Sequence, residues 1–330
     1  MKKTLFLMTI ILGAILITAC GKKAALDSYG CFVNYGDALD NSEKKKQPLL
    51  MFFTSEGDDE ESTQLVADIL KHPDFASVIL KKYTVFHADF SENTWKKLTD
   101  EEQNDYNIIL QNNYQIAMLL GVDVMPQIFL CTKEGYLVSQ LESDNGFMSM
   151  SEFEQLLEEN EEKLDKFNKM VAQTNKGSSI ARIEAIDTLY NATDVNFRTF
   201  LFPLVKLVLE LDKTNESGLL GKYVMINAET EAVTAYSQGD TETAVQKYLE
   251  AAESKYIKNE DKQECFYTAA YLAAYSGSED YEGILAYLKT AYEIAPESAK
   301  ASAIQEAITY FETLIEKIGE YNLEDEVDAK

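Results

Sequence analysis

The most reactive side chains in this sequence belong to four cysteines, Cys20, Cys31, Cys131 and Cys265. Thiol-disulfide exchange commonly uses two cysteines in a Cys-x-x-Cys pair, and zinc sites repeat similar short spacings. The four residues show neither pattern, so their spacing indicates no dithiol site and no metal site. Cys131, at the end of an apolar run, and Cys265, in a helical pattern, are typical of small buried hydrophobes. A disulfide between Cys31 and Cys131 remains an open alternative.

The histidines and the acidic residues are the other candidates for chemistry. Only two histidines occur, His72 and His87, and a metal site or a Ser-His-Asp hydrolase needs more convergent partners than they show. His87 lies in the apolar run 83–88, which predicts a histidine on a strand. The acidic run 58–61 has two interpretations: it binds a cation or a basic peptide, or it caps a helix N-terminus. We favour capping, because calcium ligands usually lie on a spaced loop with a glycine turn.

The charge balance of the chain restricts its partners. There are 56 acidic and 30 basic residues among 330, which leaves a formal net charge of −26. Such a surface repels the phosphate backbone of nucleic acids and the headgroups of anionic lipids. The composition therefore predicts no nucleic-acid partner, although an acidic surface also serves solubility alone.

The first twenty residues have the pattern of an export signal. Lys2 and Lys3 precede an apolar stretch at 4–17, too short for a comfortable membrane span. The stretch ends in Ile-Thr-Ala and Cys20, which resembles the bacterial lipobox, where the cysteine after the cleavage point carries acyl chains such as palmitate. This resemblance implies a lipoprotein signal peptide at 1–20, lipidation of Cys20 and a tether at 21–30. The alternative is an ordinary signal peptide cut after Ala19.

Alternating helix and strand patterns follow the tether. The apolar run at 49–53 predicts a buried strand, and a polar turn and a helix opening at about Ser62 come next. Further strands are predicted at 83–90, 127–131 and 136–141. The helices expected around them are at 33–45, at 108–120 with Ile109, Tyr114, Ala117, Met118 and Leu119 toward the core, and from a capping box of Ser151 and Glu154.

This order of elements resembles the thioredoxin family over about residues 31–160, especially its lipoprotein-associated members. The matching positions are Pro48, Phe53, Thr54, Gly121, Val122, Met125, Pro126, Phe129 and Gly135. The resemblance implies that Asp59 and Ser62 stand where the family has its two cysteines, so the dithiol cycle is absent. It also implies a cis Pro126 beside that turn. Met125 and Pro126 then either bind an extended peptide or only hold the loop in shape.

The C-terminal half shows helical patterns and no strand. A break at 175–179 separates it from the first half. Gly239 and Asp240 precede Ala244, Tyr248 and Ala251, a spacing that resembles the tetratricopeptide repeat (TPR), and a weaker copy follows forty residues later. The many tyrosines of this half either line a peptide-binding surface or fill the space between stacked helices, and we favour filling.

The predicted fold class is α/β plus all-α: a thioredoxin-like domain at 31–175, an α-helical TPR-like repeat domain at 176–318 and a flexible acidic tail at 319–330. The expected function is that of a non-catalytic protein-interaction or chaperone-like module, without a cofactor, that is held by its lipid in the cell envelope. It would lie on the outer side of the cytoplasmic membrane or on the outer membrane, with a protein or peptide as partner. The alternative is a thiol-disulfide oxidoreductase-related enzyme that uses one cysteine, Cys31 or Cys131. The sequence leaves the oligomeric state open.

Overall fold

The structure is a computed structural model that describes residues 24–92, 100–143 and 148–328. The signal peptide and Cys20 lie outside these ranges. The described residues form two compact units: one runs to residue 175 and also contains 187–201, and the other contains 176–186 and continues from residue 202. The continuous part of the first unit ends at residue 175, at the start of the break that the sequence predicts at 175–179. The segment 187–201 also belongs to this unit.

The first unit alternates helices and strands. Its elements within the described chain are α1 Tyr35–Lys45, β1 Leu49–Thr54, α2 Glu60–Leu65, α3 Leu80–Lys82, β2 Thr84–Asp89, α4 Asp100–Leu119, β3 Gln127–Cys131, β4 Leu137–Leu141, α5 Met150–Glu159 and α6 Glu161–Thr174. Helix α2 continues into a π-helical turn at Val66–Leu70, and a second π-helical turn, Phe75–Ile79, precedes α3. The predicted strands are therefore confirmed, with small differences at their ends.

The four strands form one mixed sheet in the order β2-β1-β3-β4. Strand β1 pairs with β2 in parallel and with β3 antiparallel, and β3 pairs with β4 antiparallel. All six residues of β1 are buried, because the strand is central in the sheet and covered on both faces. A small mixed sheet of this kind agrees with the thioredoxin-like domain that the sequence predicts.

Aromatic side chains fill both faces of this sheet. On one face, Phe53 meets Phe86 and Phe129 edge-on, at centroid distances of 5.8 Å each. On the other face, Phe52 packs between Phe75 and Phe153 at 6.0 and 5.7 Å. Successive residues of a strand point to opposite faces, so Phe52 and Phe53 supply both cores.

The chain before α1 already belongs to the sheet region. The N–H of Phe32 donates to the carbonyl of Val85 at 2.8 Å, and the N–H of His87 donates to the carbonyl of Phe32 at 2.9 Å. The segment that we expected to be a tether through residue 30 is therefore part of the fold from about Leu26, which bridges to Phe32.

Two predicted helix features are wrong in detail. The capping box of α5 is formed by Ser149 and Glu152, two residues before the predicted pair. The earlier start places Met150, Phe153 and Leu157 on the buried face, and that burial selects the cap. The long helix expected after this cap is interrupted at Asn160, which divides it into α5 and α6.

The second unit is helical throughout its described part. Helix α7 Ser179–Ala192 spans the boundary between the units, and a 3₁₀ segment, Val195–Leu201, follows it. The other helices are α8 Phe202–Leu211, α9 Leu220–Ser237, α10 Thr241–Ala252, α11 Asn259–Tyr275, α12 Tyr281–Ile294 and α13 Ala301–Asp328. The backbone stays helical through Asp328, so the predicted boundary at residue 318 is not a helix end.

A repeated pattern organises two of these helix pairs. Asp240 and Asp280 each cap the following helix, accepting hydrogen bonds from the N–H groups of Thr243 at 3.0 Å and Gly283 at 2.9 Å. The buried positions also recur after forty residues: Ala244 corresponds to Ile284 and Ala251 to Ala291. The TPR resemblance itself stays a prediction. Among the described residues, no helix has the length and apolarity that crossing a membrane needs.

Candidate functional site

The turn between β1 and α2 is the place where the resemblance puts a dithiol site. Asp59 is the N-cap of α2, and its carboxylate accepts the N–H of Ser62 at 2.6 Å. Ser62 is fully buried, and its hydroxyl accepts the N–H of Ser55 at 3.0 Å. The two residues therefore hold the turn to the helix by hydrogen bonds.

The acidic residues of this turn also have protein partners. The carboxylate of Asp58 accepts the N–H of Glu92 at 2.7 Å, and Glu60 and Glu61 lie in the first turn of α2, where negative charge favours the helix dipole. This geometry fits the capping interpretation of the acidic run. Within the described ranges, no three metal-binding side chains converge on one point.

Glu56 links the turn to its surroundings. Its carboxylate accepts hydrogen bonds from Lys71 at 2.7 Å and from the Tyr29 hydroxyl at 3.0 Å. Burial opposes ionisation of Glu56, but these two hydrogen bonds and the charge of Lys71 outweigh it and lower the pKa of the carboxyl. Burial and the hydrogen bond to Glu56 raise the pKa of the Tyr29 phenol.

A buried chain of hydrogen bonds lies next to this turn, and sequence reasoning missed it. His87 Nδ1 is 2.7 Å from Asp27 Oδ2, and His87 Nε2 is 2.8 Å from Thr54 Oγ1. Since an ionised carboxylate only accepts, Nδ1 donates to Asp27. The sequence offered no signal for it, because Asp27 is sixty residues from His87 and falls in the expected tether.

The order Thr-His-Asp has the connectivity of a catalytic triad, but its surroundings differ. Thr54 is fully buried and His87 is 4% exposed, so the hydroxyl is out of reach of a substrate. Asp27 also accepts the N–H groups of Tyr29 and Cys31, each at 2.9 Å. The arrangement therefore fastens the N-terminal segment to the ends of β1 and β2.

The three described cysteines, Cys31, Cys131 and Cys265, are free and buried, so the disulfide between Cys31 and Cys131 is not formed. Burial, with a smaller contribution from Asp27, raises the pKa of the Cys31 thiol. Burial alone raises the pKa of Cys131, and burial with nearby carboxylates raises the pKa of Cys265 to about 12. Such environments disfavour the thiolate that exchange chemistry needs.

The loop before β3 contains the other predicted residues. The Met125–Pro126 peptide bond is cis, as predicted, and both side chains are partly exposed. Beside them, Val124 is 65% exposed. On the last turns of α4, Tyr114, Met118 and Leu119 are also exposed, so the core positions that the sequence pattern predicts for these three residues are wrong.

The core face of α4 is instead formed by Asn113, Ile116 and Ala117, and Leu120, directly after the helix, continues it. This spacing of three and four residues defines one helical stripe, and Met118 and Leu119 lie off it. The structure therefore leaves a group of exposed apolar residues, Met118, Leu119 and Val124, next to the cis-proline loop. We call this group the loop patch.

Comparisons with known proteins agree with the fold described above. Residues 35–161 match the family of thioredoxin-like domains, and residues 219–317 match a family described as an uncharacterised protein C-terminal domain. The chain therefore contains a thioredoxin-like domain followed by a helical C-terminal domain.

The similarity to one bacterial relative runs along most of the chain. This chain is 25% identical over 303 residues to an uncharacterized protein of Treponema pallidum (strain Nichols), across 87% of this chain and 93% of that protein. A solved DsbH oxidoreductase is similar to 43% of this chain and 87% of its own, at 19% identity and a TM-score of 0.32. A likeness at that level does not bear on activity.

Proposed function

We propose that this protein is a lipid-anchored module of the cell envelope that binds extended or unfolded protein segments and has no dithiol redox activity. The observation that carries the proposal is the state of the β1–α2 turn. Asp59 and Ser62 stand where the dithiol would be, and both are used as hydrogen-bond acceptors within the protein. The fold is kept, while the groups that would transfer electrons are absent from that turn.

The loop patch supplies the binding surface in this proposal. In thioredoxin-like folds the backbone beside the cis-proline faces the active-site turn and pairs with extended peptides, and this feature does not depend on cysteines. Val124 and Met118 are 65% and 73% exposed. Grouped exposed apolar residues of this kind commonly mark interaction sites. An extended apolar segment is therefore the occupant that the patch suits.

A holding assay with the full chain in detergent tests this function. Insulin is reduced in the presence of the protein, and light scattering follows aggregation of the released B chain. We expect the wild-type protein to delay aggregation and Val124→Asp to lose most of that effect, since a charge on the patch opposes apolar docking. Val233→Asp is the matched control, because Val233 is 61% exposed but lies on α9.

Three results would contradict parts of the proposal. No delay by the wild-type protein would contradict holding activity. Equal protection by Val124→Asp, with unchanged melting, would exclude the loop patch. If Val233→Asp lost protection and Val124→Asp did not, the binding surface would lie on the helical unit instead of the loop patch.

The rival function is thiol chemistry by one cysteine. It is tested by insulin reduction and by formation of a mixed disulfide with glutathione. We expect no turnover, because burial of Cys31 and Cys131 raises the pKa of each thiol. Clear turnover that Cys131→Ser abolishes would establish the enzyme instead.

The proposed anchor depends on Cys20, which lies outside the described residues. Growth with labelled palmitate should label the wild-type protein and not Cys20→Ala. A variant that is still labelled would place the lipid elsewhere, and an unlabelled wild-type protein would contradict the lipoprotein assignment.

A further inference from the structure

An open pocket of about 430 Å³ lies beside β4 in the first unit, away from the residues of the proposed function. Residues 137–140 of β4, helix α6 and the segment 191–198 line it. Small-molecule sites in proteins commonly measure about 300–1,000 Å³. The pocket therefore has the size of a site for a small ligand.

Lys163 presents an ammonium group to this pocket. Its Nζ donates to the hydroxyl of Ser139 at 2.9 Å, and that hydroxyl donates to Oδ1 of Asn160 at 2.6 Å. The amide nitrogen of Asn160 in turn donates to the carbonyl of Leu156 at 2.9 Å. This chain of bonds positions the ammonium but uses only one of its three N–H donors.

Arg198 is the second cation among the residues that line the pocket. Its Nε donates to the carbonyl of Thr193 at 3.2 Å, and its guanidinium carbon lies 4.9 Å from the ring centroid of Tyr190. A guanidinium has five N–H donors, of which this contact uses one. The four donors on the terminal nitrogens have no partner among the described residues.

The charge of the pocket differs from that of the whole protein. Neither Lys163 nor Arg198 forms an ion pair in the described part of the chain, although the protein has 56 acidic residues. Asp194 also lines the pocket, and its Oδ1 accepts the N–H of Asn196 at 2.9 Å. Two cations and one carboxylate give the pocket a local positive charge, which attracts anions against the general field.

We propose that this pocket binds a small organic anion, with a carboxylate or phosphate group held by Lys163 and Arg198. Arginine suits such groups because its planar fork forms two parallel hydrogen bonds to one oxyanion, and lysine adds a point charge. Phe167 and Phe197 contribute apolar surface to the same lining, which suits a short carbon skeleton. A ligand with one oxyanion and a short carbon skeleton would match both the cations and the apolar surface of this lining.

Calorimetric titration of the full chain in detergent tests this site. The probes are inorganic phosphate, pyruvate, succinate and citrate, and a pentapeptide with either a free or an amidated C-terminus. We expect at least one small anion to bind, and Lys163→Gln or Arg198→Gln to weaken its affinity about tenfold or more. Phosphate alone identifies a phosphate site, and the organic acids alone identify a carboxylate site.

The control variants separate a site from a general charge effect. Lys166→Gln removes an exposed cation from the same helix and should leave the affinity unchanged, whereas Lys163→Arg keeps the charge and should retain most of the binding. Binding that survives both Lys163→Gln and Arg198→Gln would overturn the site, and so would the absence of binding by every small anion. Capture of only the free-carboxylate peptide would replace the small ligand by a peptide terminus and also overturn the proposal.

Discussion

Two polar regions of the first unit differ in whether their side chains have hydrogen-bond partners within the protein. In the β1–α2 turn, the side chains of Asp59, Ser62 and Glu56 are all bonded to other parts of the protein. In the β4 pocket, Lys163 and Arg198 have hydrogen-bond donors to spare and no carboxylate partner in the described chain. The thioredoxin resemblance directs attention to the turn, yet the pocket has the groups that an external ligand would use. A site is therefore better judged by whether its polar side chains already have hydrogen-bond partners within the protein than by its position in the fold.

The largest effect should come from His87→Ala, beside the turn. The substitution removes both hydrogen bonds of the ring, so the buried hydroxyl of Thr54 and the partly buried carboxylate of Asp27 lose their histidine partner. We expect a loss of about 1–3 kcal/mol in the free energy of unfolding, measured by urea denaturation. His72→Ala is the control, since the side chain of His72 is 40% exposed. Equal effects of the two variants would contradict the structural role of His87.

A smaller effect should follow Asp59→Ala, which removes the N-cap of α2. Loss of an N-cap costs about 1 kcal/mol, whereas asparagine caps nearly as well as aspartate. We therefore expect Asp59→Asn to retain most of the stability in the same denaturation experiment. If Asn and Ala were equally harmful, the charge of Asp59 rather than its cap would matter, and the cation-binding interpretation of the acidic run would return.

The pH dependence of stability should show a weaker contribution from Glu56. Its pKa is below the ordinary value of 4.5 in the folded protein, because the hydrogen bonds from Lys71 and Tyr29 outweigh the effect of burial. The stabilisation is therefore present above pH 4.5 and is lost as the pH falls below it, when the carboxyl is protonated. The stability difference between wild type and Glu56→Gln should shrink over that range. Glu158→Gln, at an exposed site, should show no such change.

The smallest effect on stability should occur in the pocket. Lys163→Gln removes an exposed cation whose one hydrogen bond is to Ser139, so the free energy of unfolding should change by about 0.5 kcal/mol or less. Anion affinity, in contrast, should fall in the same variant. A stability loss as large as that of His87→Ala would make Lys163 a structural residue and remove the contrast between the two regions.

The parts of the fold that follow local patterns were predicted correctly. The apolar run at 49–53 became the buried strand β1, and the forty-residue recurrence of Ala244 and Ala251 matched the buried positions Ile284 and Ala291. Such patterns depend on residues close in sequence, whose periodicity states which side is buried. The absence of a Cys-x-x-Cys pair is equally visible in the sequence, because it is a matter of residue type and spacing alone.

The sequence-based predictions fail where the sequence offers two nearly equivalent caps or helix faces. Ser149 and Ser151 both precede a glutamate by three residues, so the sequence contains two capping boxes, and burial of Met150 selects the first. Met118 and Leu119 are apolar, but the stripe through Ile116 and Leu120 is the one that meets the core. Propensity and pattern do not rank such alternatives, because the deciding energy comes from tertiary contacts.

The sequence by itself determined the class of each unit, the absence of a Cys-x-x-Cys pair and the predominantly acidic charge, because these are properties of residue type and short spacing. Only the tertiary structure decided which distant side chains meet. It joined Asp27 to His87 across sixty residues, and it placed Lys163 and Arg198 in the lining of one pocket. Both arrangements depend on the path of the backbone around the sheet, since hydrogen bonds act over about 3 Å regardless of separation along the chain.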